Sequence, residues 1–441
     1  MKKRSHEILE KCRELLLSTT FKNACRSSEK DFSRNRILRF PLLIVFILNL
    51  AKRSLQSELI KFSGILTLTF ISKQLLSTTR KKILPIAFVK LNDTLISEFY
   101  TDNKFPTYLG FRLIVIDGST LQLPESISIL EKYGSCGNQK NNNCMPMAQV
   151  SYAYDPLSGL TLDAIISPYG SSERSMACDH ILKIQPSTYA NDLYIFDRGY
   201  PSLTLIFLLA QQRKNYLIRC TGTWLSEVRK LIKNQKRDTI IEISPKRLKG
   251  KKREDFKKRL PGVCLNSIQQ MRVLIIDLPT GEQEFLITSL LDKDKFEYAM
   301  FIKLYHSRWG VEENYKFHKV RIEMENFSGE STQAIEQDFH ATIFTANVRA
   351  LLTNEAQEEM EEIFSKKMLK HDYKINQNIA IGILKDEIVK VLLTPESNLE
   401  VFCKRLKQDM KKNIVSIRPG RKYIRIKKTN RKYPMNMRRA L

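Results

Sequence analysis

The sequence predicts an α/β fold: a mixed-sheet core interrupted by an all-β insertion, with a helical N-terminal region and a basic C-terminal region. Three observations lead there. Apolar residues recur at helical spacing through residues 1–110. Short apolar strands then alternate with helical stretches over 111–220. Strand patterns dominate 221–295, and helical spacing returns at Phe296, giving a second core segment over 296–350 and a C-terminal region over 351–441. Alternating strands and helices build layered α/β cores, and each change of hydrophobic period marks a change of element.

Composition bounds the function. The chain has 441 residues, enough for two or three domains. Lys and Arg total 73 against 47 acids, a net charge of +26. That excess is too large for an ordinary metabolic enzyme and points to a polyanion, with nucleic acid the first choice and an anionic membrane surface the second. The membrane reading is the weaker. The most apolar segment, Phe40–Ala51, contains Pro41 and Asn49 and falls short of the roughly 20 apolar residues of a spanning helix. Glu7, Glu10 and Glu14 interrupt the basic N-terminus, which argues against a signal peptide. The eight cysteines form no CxxC pair and no Cys/His cluster with zinc spacing. Reduced thiols and a cytoplasmic location are therefore expected.

Taken in order, the helical N-terminal region carries Arg34, Arg36, Arg39, Lys52, Arg53, Arg80, Lys81 and Lys82 between its apolar positions. A DNA-binding head and a helical cap with a solvated charged face both fit. RLIVID (112–117) reads as a strand ending in Asp117, followed by Gly118. The polar stretch 137–143 reads as a loop. QVSYAYD (149–155) and LTLDAIIS (160–167) flank a Pro-Leu-Ser-Gly turn and predict a hairpin. Ser171–Ile184 reads as a helix that Pro186 ends. LYIFD (193–197) is a second strand ending in Asp, with Pro201 suited to the first turn of the next helix. YLIRC (216–220) closes this part of the core. The insertion has three strand patterns and a cationic loop, Lys246–Arg259, with nine basic residues. The tail 404–441 has fifteen Lys or Arg and one acid, Asp409, and predicts a partly extended segment against phosphates, with a disordered solubilising tail as the alternative.

The chemistry gathers at 305–319. Tyr305, Arg308, Glu312 and Lys319 stand at offsets 0, 3, 7 and 14. On one continuous helix they would share an arc of about 60°. A carboxylate among a phenol, a guanidinium and an ammonium suits metal-assisted attack on a phosphodiester. The face alone leaves the acid open, because Glu323 would share it and Arg308–Glu312 has the spacing of a surface ion pair. Asp117 and Asp197 each end a strand beside a glycine, where α/β sheets place their sites. With Glu312 they could hold two divalent ions. His306 and His318 are expected at the surface, and Glu173, after two serines, as a helix-start residue.

The Tyr-x2-Arg-x3-Glu-x6-Lys spacing resembles the signature of DDE transposases of the insertion-sequence-four family of bacterial mobile elements. IDGSTLQLP (116–124), FDRGYPS (196–202), LYHSRWGVEENYK (304–316) and ENFSGES (325–331) agree with it. The resemblance covers roughly residues 30–440 and implies a ribonuclease-H-like catalytic core. It implies Asp117, Asp197 and Glu312 as the catalytic, metal-binding triad and Tyr305, Arg308 and Lys319 as DNA phosphate ligands. It implies two Mg²⁺ ions, with Mn²⁺ able to substitute, and double-stranded DNA, both element ends and target, as partner. A homodimer in a synaptic complex, associated with the bacterial nucleoid, would cut the terminal inverted repeats and join the 3′ ends to target. In relatives a Trp of the insertion stacks where a base is flipped. Trp224 is the only Trp here in the insertion, and its expected role is packing. Two other functions stay open: a decayed protein that only binds element ends, and a structure-specific nuclease with the same core.

Overall fold

The computed structural model describes residues 4–102, 104–137, 145–278, 281–366, 371–393 and 398–418. The chain divides into two compact units. One comprises Met1–Asp102, Thr120–Ala148 and Lys316–Leu441, and the other Asn103–Ser119 and Gln149–Tyr315.

Six helices open the chain: α1 (Ser5–Leu17), α2 (Thr19–Cys25), α3 (Phe40–Asn49), α4 (Leu55–Ile65), α5 (Lys73–Arg80) and α6 (Ile86–Phe99). Ser18, Ser54 and Ser72 accept backbone N–H groups at the starts of α2, α4 and α5, satisfying donors that a helix leaves unpaired. The next elements are β1 (Phe111–Gln122), α7 (Ile127–Tyr133), β2 (Ser135–Cys136), β3 (Met145–Asp155), β4 (Leu160–Pro168), α8 (Glu173–Lys183), β5 (Asn191–Phe196), α9 (Leu203–Gln211) and β6 (Asn215–Cys220). The insertion follows as α10 (Ser226–Lys233), β7 (Asp238–Ile243), α11 (Gly250–Arg259), β8 (Gln269–Asp277) and β9 (Gln283–Thr288). Next come α12 (Met300–His306), α13 (Trp309–Lys316) and a π-helical turn, Phe317–Arg321. The chain continues with α14 (Thr332–Phe364), β10 (Tyr373–Ile375), α15 (Gln377–Leu393), α16 (Leu399–Lys411) and β11 (Ile414–Ser416).

The fold is mixed α/β. Strands β4, β3, β1, β5, β6, β9, β8 and β7 lie side by side in one sheet. β1, β5 and β6 pair in parallel, and β6, β9, β8 and β7 pair antiparallel. Leu113–Ile116 and Leu193–Phe196 are fully buried, as central parallel strands with both faces covered must be. In the helical unit, α14 packs against α6, α3 and α16. The apolar segment at Phe40 is a core helix there, with eight of its residues buried. Among the described residues no helix is long and apolar enough to cross a membrane, and the seven described cysteines are free.

Five expectations need correction. The insertion is not all-β, because it contains α10 and α11. Its cationic segment is largely helical: Phe256 anchors α11 by packing edge-on against Phe207 at 5.7 Å, and Lys, Arg and Glu are good helix formers. The insertion's strands also extend the core sheet through β9 on β6 instead of forming a separate body. α14 runs unbroken through the boundary expected at 350. The start of the basic tail, to Lys411, is helical, because Cys403, Leu406 and Met410 bury one face of α16. Residues 419–441 of the tail and 138–143 of the polar loop lie outside the described residues.

Arg272 of β8 ties the insertion to the chain that re-enters the core. It is 1% exposed, donates twice to Asp238 (2.9 and 2.7 Å), reaches the carbonyls of Leu290, Asp292 and Phe296, and lies over the Phe301 ring. Removing one partner of a buried ion pair leaves the other uncompensated. Arg272→Ala is expected to cost about 3–5 kcal/mol in urea unfolding. A loss under about 1 kcal/mol would show that the pair contributes little beyond packing.

Candidate active site

Two carboxylates stand at one level of the sheet. The parallel register of β1 and β5 ends at Ile116 opposite Phe196. Asp117 and Asp197 are the next residue on each strand, so both leave adjacent strands at the same point. β1 does not end at Asp117 as the apolar run suggested, but continues to Gln122. Asp117 Oδ1 accepts the Gly118 N–H at 3.0 Å.

The signature is not one helix. α12 ends at His306, a tight turn covers Ser307 and Arg308, α13 carries Glu312, and the π turn carries Lys319. Backbone bonds Arg308→Tyr305, Gly310→Ser307 and Val311→Arg308 span three residues, so the break is wound more tightly than an α-helix. Gly310 lets the chain approach the β3–β4 turn, since a Cβ there would lie 3.0 Å from Pro156 Cβ. The single-face argument therefore fails in its geometry, yet Tyr305 and Arg308 still meet the aspartates and Arg308 carries Glu312. Tyr305 Oη donates to Asp197 Oδ1 at 3.1 Å. Arg308 donates to Glu312 Oε1 at 2.7 Å and pairs with Asp117 Oδ2 at 3.6 Å. Its guanidinium also lies 5.9 Å from the Tyr305 ring centre. Arg219 adds a second cation, 4.0 Å from Asp197 and 3.1 Å from Glu284.

Burial sets the electrostatics. It pushes Asp117 up from 3.8 to about 6, against the Gly118 N–H and Arg308, with Asp197 and Glu173 adding repulsion. It also raises the Tyr305 phenol, with Asp197 contributing, so this group stays protonated and donates. For Arg308, burial works against the charge, but Tyr305, Asp197, Glu312 and Asp117 outweigh it and its pKa is raised. Arg308 Nε is buried without an acceptor.

As the side chains stand, no three His, Cys, Asp or Glu among the described residues converge closely enough to hold a metal ion. The acids are turned toward Arg308 and Tyr305. The donor set nevertheless fits a hard divalent cation: its ligands are carboxylate oxygens, and Asp117 is desolvated with repelling acids beside it. Asp117, Asp197 and Glu312 could hold such an ion once they turn from their protein partners.

The remaining candidates fall elsewhere. Lys319 belongs to the helical unit, where Nζ donates to Thr120 O at 2.6 Å and burial lowers its pKa. Glu323 is in the same unit, beyond the π turn and at φ 53°, so a helical face cannot be extended to it. His306 is exposed, as expected. His318 is not: it is fully buried and pushed down to about 3 by burial and Arg349, because the wide turn redirects it inward. Two neighbours of the site, Tyr200 and Gln149, escaped sequence reasoning, and a third, Glu173, read only as a helix start. Glu173 starts α8 over a Ser172 cap, as a helix-start acid should, but also borders Gly118. Tyr200, in the DRGY stretch, is 1% exposed beside the acids. Gln149 donates to Glu173. Strand position 149 and the motif after Asp197 were the only signals. A cavity of about 980 Å³ in the same unit is lined by Arg174, Arg247, Lys249, Lys251, Lys252 and Arg259, with Trp224 on its wall.

The raised Asp117 makes a sign-defined prediction. Its folded form holds the proton more tightly than the unfolded chain, so stability falls as pH rises from about 4 to about 6. The shift corresponds to a cost on the order of 3 kcal/mol at pH 8 without metal. Asp117→Asn, melted in chelator, is expected to be the more stable protein at pH 8, with the difference gone at pH 4. A less stable Asn variant at pH 8 would contradict this electrostatic account.

Residues 109–348 match the family described as the transposase DDE domain. No curated protein matches the chain. Among solved structures, the piggyBac transposase in a synaptic complex with hairpin DNA is similar at TM-score 0.45 and 9% identity, covering 90% of this chain and 84% of that one. The family match spans more than half of the chain and includes both aspartates and the Tyr305–Glu312 segment; the chain belongs to the DDE transposase family.

Proposed function

We propose that this transposase, of the insertion-sequence-four group, cuts DNA at its element's terminal inverted repeats and joins the 3′ ends to target DNA. The observation that carries the reading is the convergence of Asp117, Asp197 and Glu312 around Arg308 and Tyr305. The strand order β4-β3-β1-β5-β6, with β1, β5 and β6 parallel, supports a ribonuclease-H-like core.

In this reading Asp117, Asp197 and Glu312 hold two divalent ions, Mg²⁺ or Mn²⁺. When bound, these supply charge stabilisation for the attacking and leaving oxygens. Tyr305 keeps its proton and fixes the Asp197 carboxylate through its hydroxyl. Arg308 neutralises the acids and offers an unused Nε–H, so it can take a phosphate oxygen in the same fork geometry. Lys319 is assigned a phosphate as a point charge. The cationic cavity by Trp224 offers a further track for the DNA backbone. Two copies, each with one element end, form the working assembly on nucleoid DNA in the cytoplasm.

Nicking of duplex DNA carrying the element ends, with Mn²⁺, tests this. Asp117→Asn and Glu312→Gln are each expected to lose at least about 100-fold in rate while still binding DNA. Undiminished nicking by either variant would remove these residues from the site. A nuclease with no need of paired ends would cut branched DNA equally well. The rate with wild type should rise about tenfold per pH unit below about 6 and flatten above, since Asp117 must be ionised to hold a cation. More Mn²⁺ should move that bend to lower pH, and a pH-independent rate between 5 and 7 would contradict the assignment.

A further inference from the structure

The helix-start acid Glu173 has a place that capping does not explain. Gly118 follows Asp117 directly. A Cβ on Gly118 would lie 2.6 Å from Glu173 Cδ and 3.0 Å from its Cγ. The Glu173 carboxyl thus fills the space that the missing side chain leaves beside Asp117. Any other residue at 118 would drive it out. Gln149, 8% exposed, donates to Glu173 Oε1 at 3.0 Å and fixes the carboxyl there. No cation compensates it: among the described residues Glu173 has no ion pair, and its one side-chain hydrogen bond comes from this neutral amide.

The charge balance is therefore uneven. Asp117, Asp197 and Glu312 share Arg308, and Glu173 adds a fourth negative charge close enough to act on Asp117. A second, independent observation lies beside them. The Tyr200 hydroxyl is 1% exposed, makes no hydrogen bond, and has three carboxylates, Asp117, Glu173 and Asp197, and one cation, Arg308, as its charged neighbours. A buried hydroxyl left unpaired next to several carboxylates is costly unless something polar joins them.

We propose that Glu173 is a fourth carboxylate of the divalent-cation site, admitted by Gly118 and held in place by Gln149. This rests on the reading of Asp117 as a metal ligand. Glu173 then serves beside Gly118, and its uncompensated charge raises the site's affinity for the ion.

The test is Mn²⁺ binding by the full-length protein, followed by the electron paramagnetic resonance of free Mn²⁺, alongside melting in chelator. Glu173→Gln is expected to weaken Mn²⁺ binding at least about tenfold without lowering the melting temperature in chelator. Glu173→Asp, which keeps the charge, should bind better than Glu173→Gln. Asp117→Asn is the reference and should also weaken binding. If Asp117→Asn weakens binding and Glu173→Gln does not, the inference fails and the catalytic reading stands. If neither changes binding, the reading of Asp117 fails and the inference with it. If Glu173→Gln lowers the chelator melting temperature and Glu173→Asp binds no better, Glu173 only supports α8 and the inference is overturned.

Discussion

The site depends on one constraint: three carboxylates must be brought together in a partly desolvated place, and Arg308 is the cation that makes this tolerable. It bonds Glu312 at 2.7 Å, lies 3.6 Å from Asp117, and has Asp197 among its charged neighbours. Burial already pushes Asp117 toward its neutral form, and Arg308 opposes that push. The other features of the site serve this arrangement. The parallel register delivers both aspartates one residue beyond the same rung. The tight turn at Ser307–Arg308 lets Tyr305 and Glu312 reach the site from two helices. Gly310 brings that turn against the β3–β4 connection.

The insertion and the buried arginines show the same logic away from the chemistry. Arg272 is almost wholly buried, and its cost is met by Asp238 and three carbonyls from the returning chain. In the helical unit Arg80 meets Asp338, Gln337 and the Ala334 carbonyl. A chain with this many cations buries a few where geometry is well defined. The rest line surfaces such as the cavity beside Trp224, which suits a polyanion.

Much of the fold was legible because its strands are short, apolar and punctuated. RLIVID and LYIFD read as strands from composition alone, and the Asp in each with a Gly close after it marked where the two carboxylates stand at one level of the sheet. The hairpin at 149–167 was visible from its alternation and its Pro-Leu-Ser-Gly turn. The failures are those of extrapolating a period. The offsets of Tyr305, Arg308 and Glu312 suggested one helical face, whereas the chain breaks at Ser307 and widens at Phe317. Spacing singled out residues that do lie near one another there, but for a wrong geometric reason. His318 turned inward for the same cause. The segment Lys246–Arg259 read as a loop because charge masked the single anchor, Phe256, that makes it a helix. Glu173 was legible as a helix start, but its approach to Gly118 depends on tertiary contact, which no local pattern encodes.

The most direct measurement of the central claim is where a redox-active cation sits. Fe²⁺ substituted for Mg²⁺, with ascorbate and peroxide, cuts the backbone within reach of the bound ion. Cuts clustered at Asp117, Asp197 and Glu312, and suppressed by excess Mg²⁺, are the predicted result. Cuts confined to other segments, or cuts that Mg²⁺ does not suppress, would contradict the carboxylate site around Arg308.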